Sequence, residues 1–467
     1  MASDISTAKL DPNIFTNRRE YFFSFLVDRF EYATLLWKEA LQDRFQRPFE
    51  PIFVVSARSN QYFQKANFLV MNQRAQKVQR DTGEKNFIFL SENEDLNQEF
   101  SRSSYVKDFI RKLILKQKRV FLLPFTTTNL SFNSSKVIVL GPDSKVVTKY
   151  DNKVQHKLLF DKLGLSKNEV KIFKNLAAVQ RTVKQYPIFL SASFSSGGHE
   201  SRIISNPAQI DSFSHELRGI NRNNEFLVAR FIEDVVLSPN TNAIVVGRNN
   251  TVVNCISDQI LRSNQYIGNI YPSKATERHK GIMRKTTAVV GNYLSRKGFR
   301  GIFGLDFIID KNGSVFPTDL NPRRQGGYLC HILSARSKGI DLIDLELRIF
   351  LHNDIPDISY PNFQVDYVWA HSKIKPYKSG QKITRVFASK NPSTPFMKKG
   401  AAYKAMFYPK GYVFAGGNAG YYITTGTSYD QTLQKIRGAV GKIIETSFDS
   451  TDWEFYFDSP KTHDLLQ

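Results

Sequence analysis

Short apolar runs separated by polar or helical stretches open the chain. PIFVVSA (51–57), NFIFLS (86–91), RVFLLPF (119–125) and KVIVLGP (136–142) each predict a short buried strand. Between two of them, YVKDFIRKLILKQ (105–117) carries its apolar residues at helical spacing. This alternation predicts an α/β unit, Rossmann-like in outline, over residues 1–150. No GxGxxG follows the first strand, so a dinucleotide site is not expected.

The pattern changes near residue 151. NKVQHKLLFDKLGL (152–165) predicts an amphipathic helix stopped by Gly164. YPIFLSASFSSGGHESRII (186–204) predicts a strand, a glycine-serine loop and a second strand. EFLVARFIEDVVLS (225–238), NAIVVG (242–247) and TVVNCIS (251–257) follow as further strands. HKGIMRKTTAVVGNYLSRKG (279–298) predicts a helix ended by Gly298. The mixed order predicts an α+β domain over 151–365. A last unit, 366–467, carries the Gly-rich stretch YVFAGGNAGYYITTGTS (412–428) and then a helix.

The richest segment is GIFGLDFIIDKNGSVFPTDLNPRRQGG (301–327). Asn312-Gly313 signals a two-residue hairpin turn. Pairing Lys311 with Ser314 and counting outward sets Asp306 directly opposite Asp319, with Cβ atoms about 5 Å apart. Asn321, two residues on, points to the same face. A carboxylate inside IFGLDFII is costly to bury, and two like charges in opposed positions repel. A cation resolves both problems. Two carboxylates and an amide oxygen suit a hard ion, Mg²⁺ or Mn²⁺, with phosphate oxygens and water completing its shell. The alternative is a solvated hairpin whose acids face water, which the apolar flanks oppose.

Composition adds a charge argument. Of 467 residues, 65 are basic and 43 acidic, a net charge of +22. Such a field favours acidic ligands: nucleotides, phosphates, carboxylates. The Lys and Arg are spread along the whole chain, without an arginine-rich tail or a nucleic-acid-binding signature, so nucleic acid is not the expected partner. A compositional habit of the source genome explains the charge equally well. No apolar run reaches the roughly 18 residues that span a bilayer, and MASDISTAKLDPNIF lacks the pattern of a signal peptide. A cytoplasmic protein is the expectation. Cys255 and Cys330 cannot build a disulfide framework or a zinc site and are expected to be buried and inert.

With Asp306-Phe307 followed by Asp319-Leu320-Asn321-Pro322-Arg323, the chain resembles the ATP-grasp superfamily. The separation of these two motifs matches the D-alanine–D-alanine ligase branch. The resemblance extends over about residues 150–430 and implies a pre-ATP-grasp domain before it. It also implies a C-terminal lobe like that of the carboxylase and carboxylate–amine ligase branches. Peptide-ligase-like members are the most similar. Lys153 matches the family's phosphate-contacting lysine, 187–204 its phosphate-closing strand-loop-strand, and LVARFIED (227–234) the hinge that holds adenine by backbone groups. The resemblance thus implies a nucleotide site of Lys153, Ser191, Ser195, Ser196, Gly197, Gly198, Arg230 and Phe231. Asp306, Asp319 and Asn321 are the implied metal ligands. Three departures stand out. Ser191 occupies the position of a usual phosphate-binding lysine, and Asp319 that of a usual Glu. Ala229 and Arg230 begin a hinge that commonly carries acids.

Other residues divide between function and structure. The 195–198 loop can turn successive backbone N–H groups onto phosphate oxygens, with His199 at its tip either near the γ-phosphate or simply exposed. Arg323 is suited to grip a carboxylate or acyl phosphate; the structural alternative is a salt bridge. Arg324, Arg262 and Arg385 are weaker candidates, Arg262 for phosphate contact. His371 has no visible acid-base partner and is expected in the core or at the surface rather than in catalysis. The implied reaction is ATP-dependent joining of a small or peptide carboxylate to an amine through an acyl phosphate. A bicarbonate- or formate-activating enzyme, a non-catalytic ATP-binding regulator and a basic nucleic-acid binder remain the alternatives. No membrane partner is expected, and homo-oligomerisation is left open.

Overall fold

The apolar runs of the N-terminal unit assemble into one parallel sheet in the computed structural model. That structure describes residues 20–25, 30–55, 67–71, 87–88, 104–116, 119–127, 135–166, 168–193, 200–217, 225–262, 265–351, 365–376 and most of 380–449. Strands β1 (Glu20–Phe25), β2 (Phe49–Val55), β3 (Asn67–Met71), β4 (Phe87–Ile88), β5 (Val120–Leu123) and β6 (Val137–Val139) lie in the order β4-β3-β2-β1-β5-β6. Every pair is parallel. Parallel strands are covered on both faces, which is why they read as continuous apolar runs; Val120, Phe121, Leu122 and Leu123 are all buried. Helices α1 (Phe30–Phe45) and α2 (Ser104–Leu115) belong to this unit.

Helices α3 (Ser144–Tyr150) and α4 (Lys153–Lys162) lead out of it. Asp143 caps α3 through the Val146 N–H, and Asn152 caps α4 through the Gln155 N–H. Gly164, at φ 67°, takes the left-handed conformation that ends α4. Next come β7 (Val170–Phe173), α5 (Leu176–Thr182), β8 (Ile188–Ala192), β9 (Ser201–Ile204), α6 (Ala208–Glu216) and β10 (Phe226–Arg230). The strands make a small antiparallel sheet in the order β7-β10-β8-β9. Alternate residues Ile188, Leu190 and Ala192 pack with Val179 of α5 and Ile210 and Phe213 of α6.

The remaining strands build a large antiparallel sheet. β11 (Val235–Leu237), β12 (Pro239–Gly247), β13 (Asn250–Arg262), β14 (Gln265–Tyr271), β15 (Gly301–Asp310) and β16 (Val315–Asn321) come first in sequence. Between β14 and β15, α7 (Glu277–Arg296) packs Met283, Val290 and Leu294 on Val245, Phe303 and Phe307. Gly291 makes this approach close enough that a Cβ there would meet Phe303 at 2.8 Å. After α8 (Tyr328–Arg336) and α9 (Leu342–Leu351) come β17 (Val368–Ile374), β18 (Gln381–Lys382), α10 (Thr394–Met397), β19 (Ala402–Met406), β20 (Val413–Phe414), β21 (Gly420–Gly426) and α11 (Tyr429–Ser447). The sheet order is β11-β15-β12-β13-β14-β17-β21-β19, with β16 paired to the free side of β15. The strands of residues 366–467 therefore extend the sheet of the preceding unit, apart from the short β18–β20 pair. One core cluster joins α1, β5, α8, α9 and this sheet through Trp37, Phe121, Tyr328, Leu345 and Ile302. Among the described residues, no helix is long and apolar enough to cross a membrane.

Candidate functional site

The β15–β16 hairpin sets Asp306 directly opposite Asp319 and Gly304 opposite Asn321. The turn itself differs from the expected two-residue form. Asp310 pairs with Ser314, so Lys311, Asn312 and Gly313 form the loop, with Gly313 at φ 74°. The Asp310 carboxylate stabilises this longer loop by accepting from the Asn312 and Ser314 N–H groups. A register shift then falls between Asp306 and Phe307, where Thr318 is the extra residue on β16. The loop displaces the register by one and the bulge restores it. Asp306 and Asp319 meet because the two offsets cancel.

Each carboxylate has its own surroundings. Asp306 accepts from the Asn240 amide on β12 and from the Asn321 amide at 3.2 Å. Burial, and then the charge of Asp319, push its pKa up to about 6, against the hydrogen bonds of Asn240, Asn321 and Gln259. Asp319 is faced by α4: Lys153 Nζ lies 3.6 Å from Oδ2 and His156 Nε2 lies 3.4 Å from Oδ1. Lys153 and His156 are one helical turn apart and so share a face. Burial lowers the His156 pKa to about 4, against the pull of Asp319. Among the described residues, no group of three or more His, Cys, Asp and Glu side chains gathers as metal ligands. The donor set is instead two carboxylates and the Asn321 amide, oxygen donors that fit a hard cation. The raised pKa of Asp306 is what an unneutralised acid pair should show.

The two consecutive arginines part company. Arg323 Nε donates to Asp151 Oδ1 and Oδ2 at 3.1 and 3.3 Å, and its Nη groups make no hydrogen bond to a described residue. Burial works against its charge, but Asp151, Asp319 and Asp306 outweigh it and raise its pKa. Arg324, only 2% exposed, turns the other way and pairs with fully buried Glu346 on α9 at 2.8 Å. It also donates to the carbonyls of Pro124 and Leu140, just past β5 and β6. Tyr328 donates to the second oxygen of Glu346, and Trp37 to Tyr328. Burial pushes the Glu346 carboxyl up, opposed by Arg324. This cluster bolts the end of the hairpin to the parallel sheet.

Several expected site residues stand elsewhere. Arg262 is buried and donates to the Lys375 carbonyl at 3.0 Å. It ends β13, about 17 Å along the strand from Ser257 at roughly 3.4 Å per residue, and Ser257 is the residue that pairs with Asn240 beside Asp306. The structure does not bring it to the acid pair. Ser191 lies on the face of β8 opposite the Leu190 core, but it is 2% exposed and its hydroxyl is shared with Ser201 at 3.0 Å. Arg230 and Phe231 stand where β10 leaves the small sheet for the large one; the Arg230 side chain is exposed and its carbonyl accepts from Asn168. Arg385 is exposed. Ser195, Ser196, Gly197, Gly198 and His199 lie outside the described residues. Cys255 and Cys330 are buried and form no disulfide among the described residues, and His371 is buried between Trp369 and Tyr421. His156 was missed by the sequence reading, although its spacing from Lys153 could have flagged it.

A four-stranded antiparallel sheet hinged to a larger one that carries an acid hairpin, behind a parallel-sheet domain, is the ATP-grasp arrangement. Residues 154–327 match the family model of the ATP-grasp domain. Residues 154–327 thus form an ATP-grasp domain. It is 23% identical over 253 residues to the carbamoyl phosphate synthase large chain of Pyrococcus furiosus, covering 50% of this chain and 23% of that one. It is 18% identical over 265 residues to the [butirosin acyl-carrier protein]–L-glutamate ligase of Niallia circulans, covering 53% and 62%. Thus it spans between about a fifth and three fifths of the length of the curated relatives it matches. The biotin carboxylase domain of Hydrogenobacter thermophilus 2-oxoglutarate carboxylase, solved with MgADP and bicarbonate, superposes with a TM-score of 0.63 at 14% identity, over 96% of this chain and 95% of that one.

Proposed function

We propose that the protein is an ATP-dependent carboxylate–amine ligase working through an acyl phosphate. The observation that carries this reading is the opposed Asp306–Asp319 pair, completed by the Asn321 amide and faced by Lys153. Two opposed acids, with Asp306 buried and its pKa raised, are unfavourable by themselves, and a divalent cation with a phosphate chain removes the penalty. The family membership and the glutamate ligases among the relatives support the same reaction class.

Asp306, Asp319 and Asn321 would hold Mg²⁺, with Mn²⁺ as substitute, and the bound ion would supply charge neutralisation at the phosphate oxygens. Lys153 binds phosphate, the N–H groups of 195–198 cradle it, and the 230–231 hinge holds adenine. Arg323 presents its two Nη groups to the substrate carboxylate in bidentate fashion, with Asp151 steadying the guanidinium. A carboxylate oxygen attacks the γ-phosphorus and the bond to the β–γ bridging oxygen breaks, giving ADP and the acyl phosphate. The amine then attacks the acyl carbon, loses a proton, and orthophosphate departs. No nucleophilic side chain is needed; positioning and electrostatics do the work.

The test is a screen of amino acids, peptides and small acids for stimulated ADP release. The expected outcome is equal ADP, orthophosphate and amide, with hydroxylamine trapping a hydroxamate. AMP and pyrophosphate as products would overturn the mechanism. Tight MgATP binding without turnover for any acid would instead favour an ATP-binding regulator, a reading that the enclosed Ser191 makes worth testing.

A further inference from the structure

His156 contributes nothing to the reaction as written, yet it faces a proposed metal ligand from a buried position. Its ring is 2% exposed and packs on Phe160. Nδ1 is buried and makes no full hydrogen bond among the described residues, although the Tyr150 backbone lies close enough to the ring to favour its protonation. Nε2 faces Asp319 Oδ1 at 3.4 Å, just longer than a normal hydrogen bond, while Lys153 takes the other oxygen at 3.6 Å. Burying a polar ring costs free energy that an apolar residue would not incur at the same place. Among its neighbours the Asp319 carboxylate offsets that cost most, ahead of Asp151 and the Tyr150 backbone.

The two acids also differ in how they are held. Asp306 is gripped by the amides of Asn240 and Asn321. Asp319 follows the bulged Thr318 on β16, which pairs with β15, and its side chain is 28% exposed. Its carboxylate is approached by Lys153 and His156, each at more than a normal hydrogen-bond length.

We propose that His156 is a positioning residue: its Nε2–H holds Oδ1 of Asp319, so that Oδ2 is the oxygen presented to the cation. The inference rests on the reading of Asp319 as a metal ligand. A neutral donor suits this place because it orients the carboxylate without competing with the metal for its charge. Ligating carboxylates elsewhere depend on such hydrogen bonds, and losing one typically weakens metal binding roughly 10–100-fold.

The experiment titrates Mn²⁺ into the full-length protein with saturating ADP, read by electron paramagnetic resonance, with unfolding midpoints recorded in parallel. His156→Leu is expected to weaken Mn²⁺ binding roughly 10–100-fold, and His156→Gln, which keeps an N–H donor, to restore most of it. His156→Leu with wild-type affinity overturns the proposal, as does a directly bonded ¹⁴N coupling to Mn²⁺ in the wild type. Asp319→Asn separates the two readings. If it retains wild-type affinity, the metal assignment itself falls; if it loses affinity while His156→Leu does not, only the role of His156 falls. Should the leucine variant not fold, ¹⁵N-histidine spectra of the wild type decide: an Nε2–H tautomer for His156 supports the proposal and an Nδ1–H tautomer overturns it.

Discussion

Two charged clusters flank Arg323, and they are built on opposite principles. Upstream, Asp306 and Asp319 confront each other with Lys153 near Asp319 and neutral amides around Asp306. Downstream, Arg324 and Glu346 are buried together with their hydrogen bonds shared out among Pro124, Leu140 and Tyr328. The first cluster is like-charged and has its acid pKa raised by burial and by repulsion. The second joins opposite charges and joins three parts of the chain. Burial alone therefore does not tell function from architecture; the balance of charge within the buried group does.

The sharpest way to break this contrast is to unpair the second cluster. Arg324→Met leaves Glu346 as a lone buried acid and is expected to destabilise the protein by about 3–5 kcal/mol, measured by denaturant unfolding. An unchanged midpoint would remove the distinction. Asp306→Asn and Asp319→Asn should do the reverse. Each lowers turnover roughly 100-fold, the scale of a lost transition-state stabiliser, while unfolding midpoints of the metal-free protein stay level or rise.

A smaller effect sharpens the comparison through pH. The Asp306 pKa rises from 3.8 to about 6 on folding. Between these values the folded state keeps a proton that the unfolded chain has released. Stability of the metal-free protein from this group is therefore greatest at low pH and declines as pH rises through the window from 3.8 to about 6. Asp306→Asn should lose that dependence, which thermal melts across the window will show. The smallest effect belongs to Arg323→Lys, which keeps the charge but loses the fork. It should raise the KM for the acid by about 10-fold, the scale of a charged hydrogen bond, and leave Mn²⁺ affinity unchanged.

Much of the hairpin was legible because its chemistry is local. Counting outward from the Asn-Gly pair opposed Asp306 and Asp319, and the count came out right because the longer loop and the bulge at Thr318 cancel. The loop length was misread, since nothing in the composition of 310–314 distinguishes a two-residue turn from one stabilised by the Asp310 side chain. Long-range features were harder. Two adjacent arginines give no sign that Arg323 turns to Asp151 and Arg324 to Glu346. Glu20–Phe25 is a central strand of the parallel sheet, yet its aromatic run lacked a period that would mark it. Pairing of β14 with β17, which fuses the last unit to the main sheet, depends on residues about a hundred positions apart. Ser191 was placed by alignment with a lysine; only packing reveals that Ser201 encloses it.

The hairpin loop also touches the hinge. Lys311 donates its backbone N–H to the Asp234 carbonyl at 3.0 Å and its ammonium to the Asp234 carboxylate at 2.5 Å. Asp234 itself sits at φ 56°, a left-handed corner where the chain turns into β11. The corner is thus riveted to the same strand pair that carries Asp306 and Asp319. On this side of the small sheet, the chain between Arg230 and Asp234 is the segment left to bend. An axle fixed to the hairpin would let the small sheet swing like a jaw while its pivot keeps constant register with the acids below. The reach of that jaw would then be set by the bridge between Lys311 and Asp234.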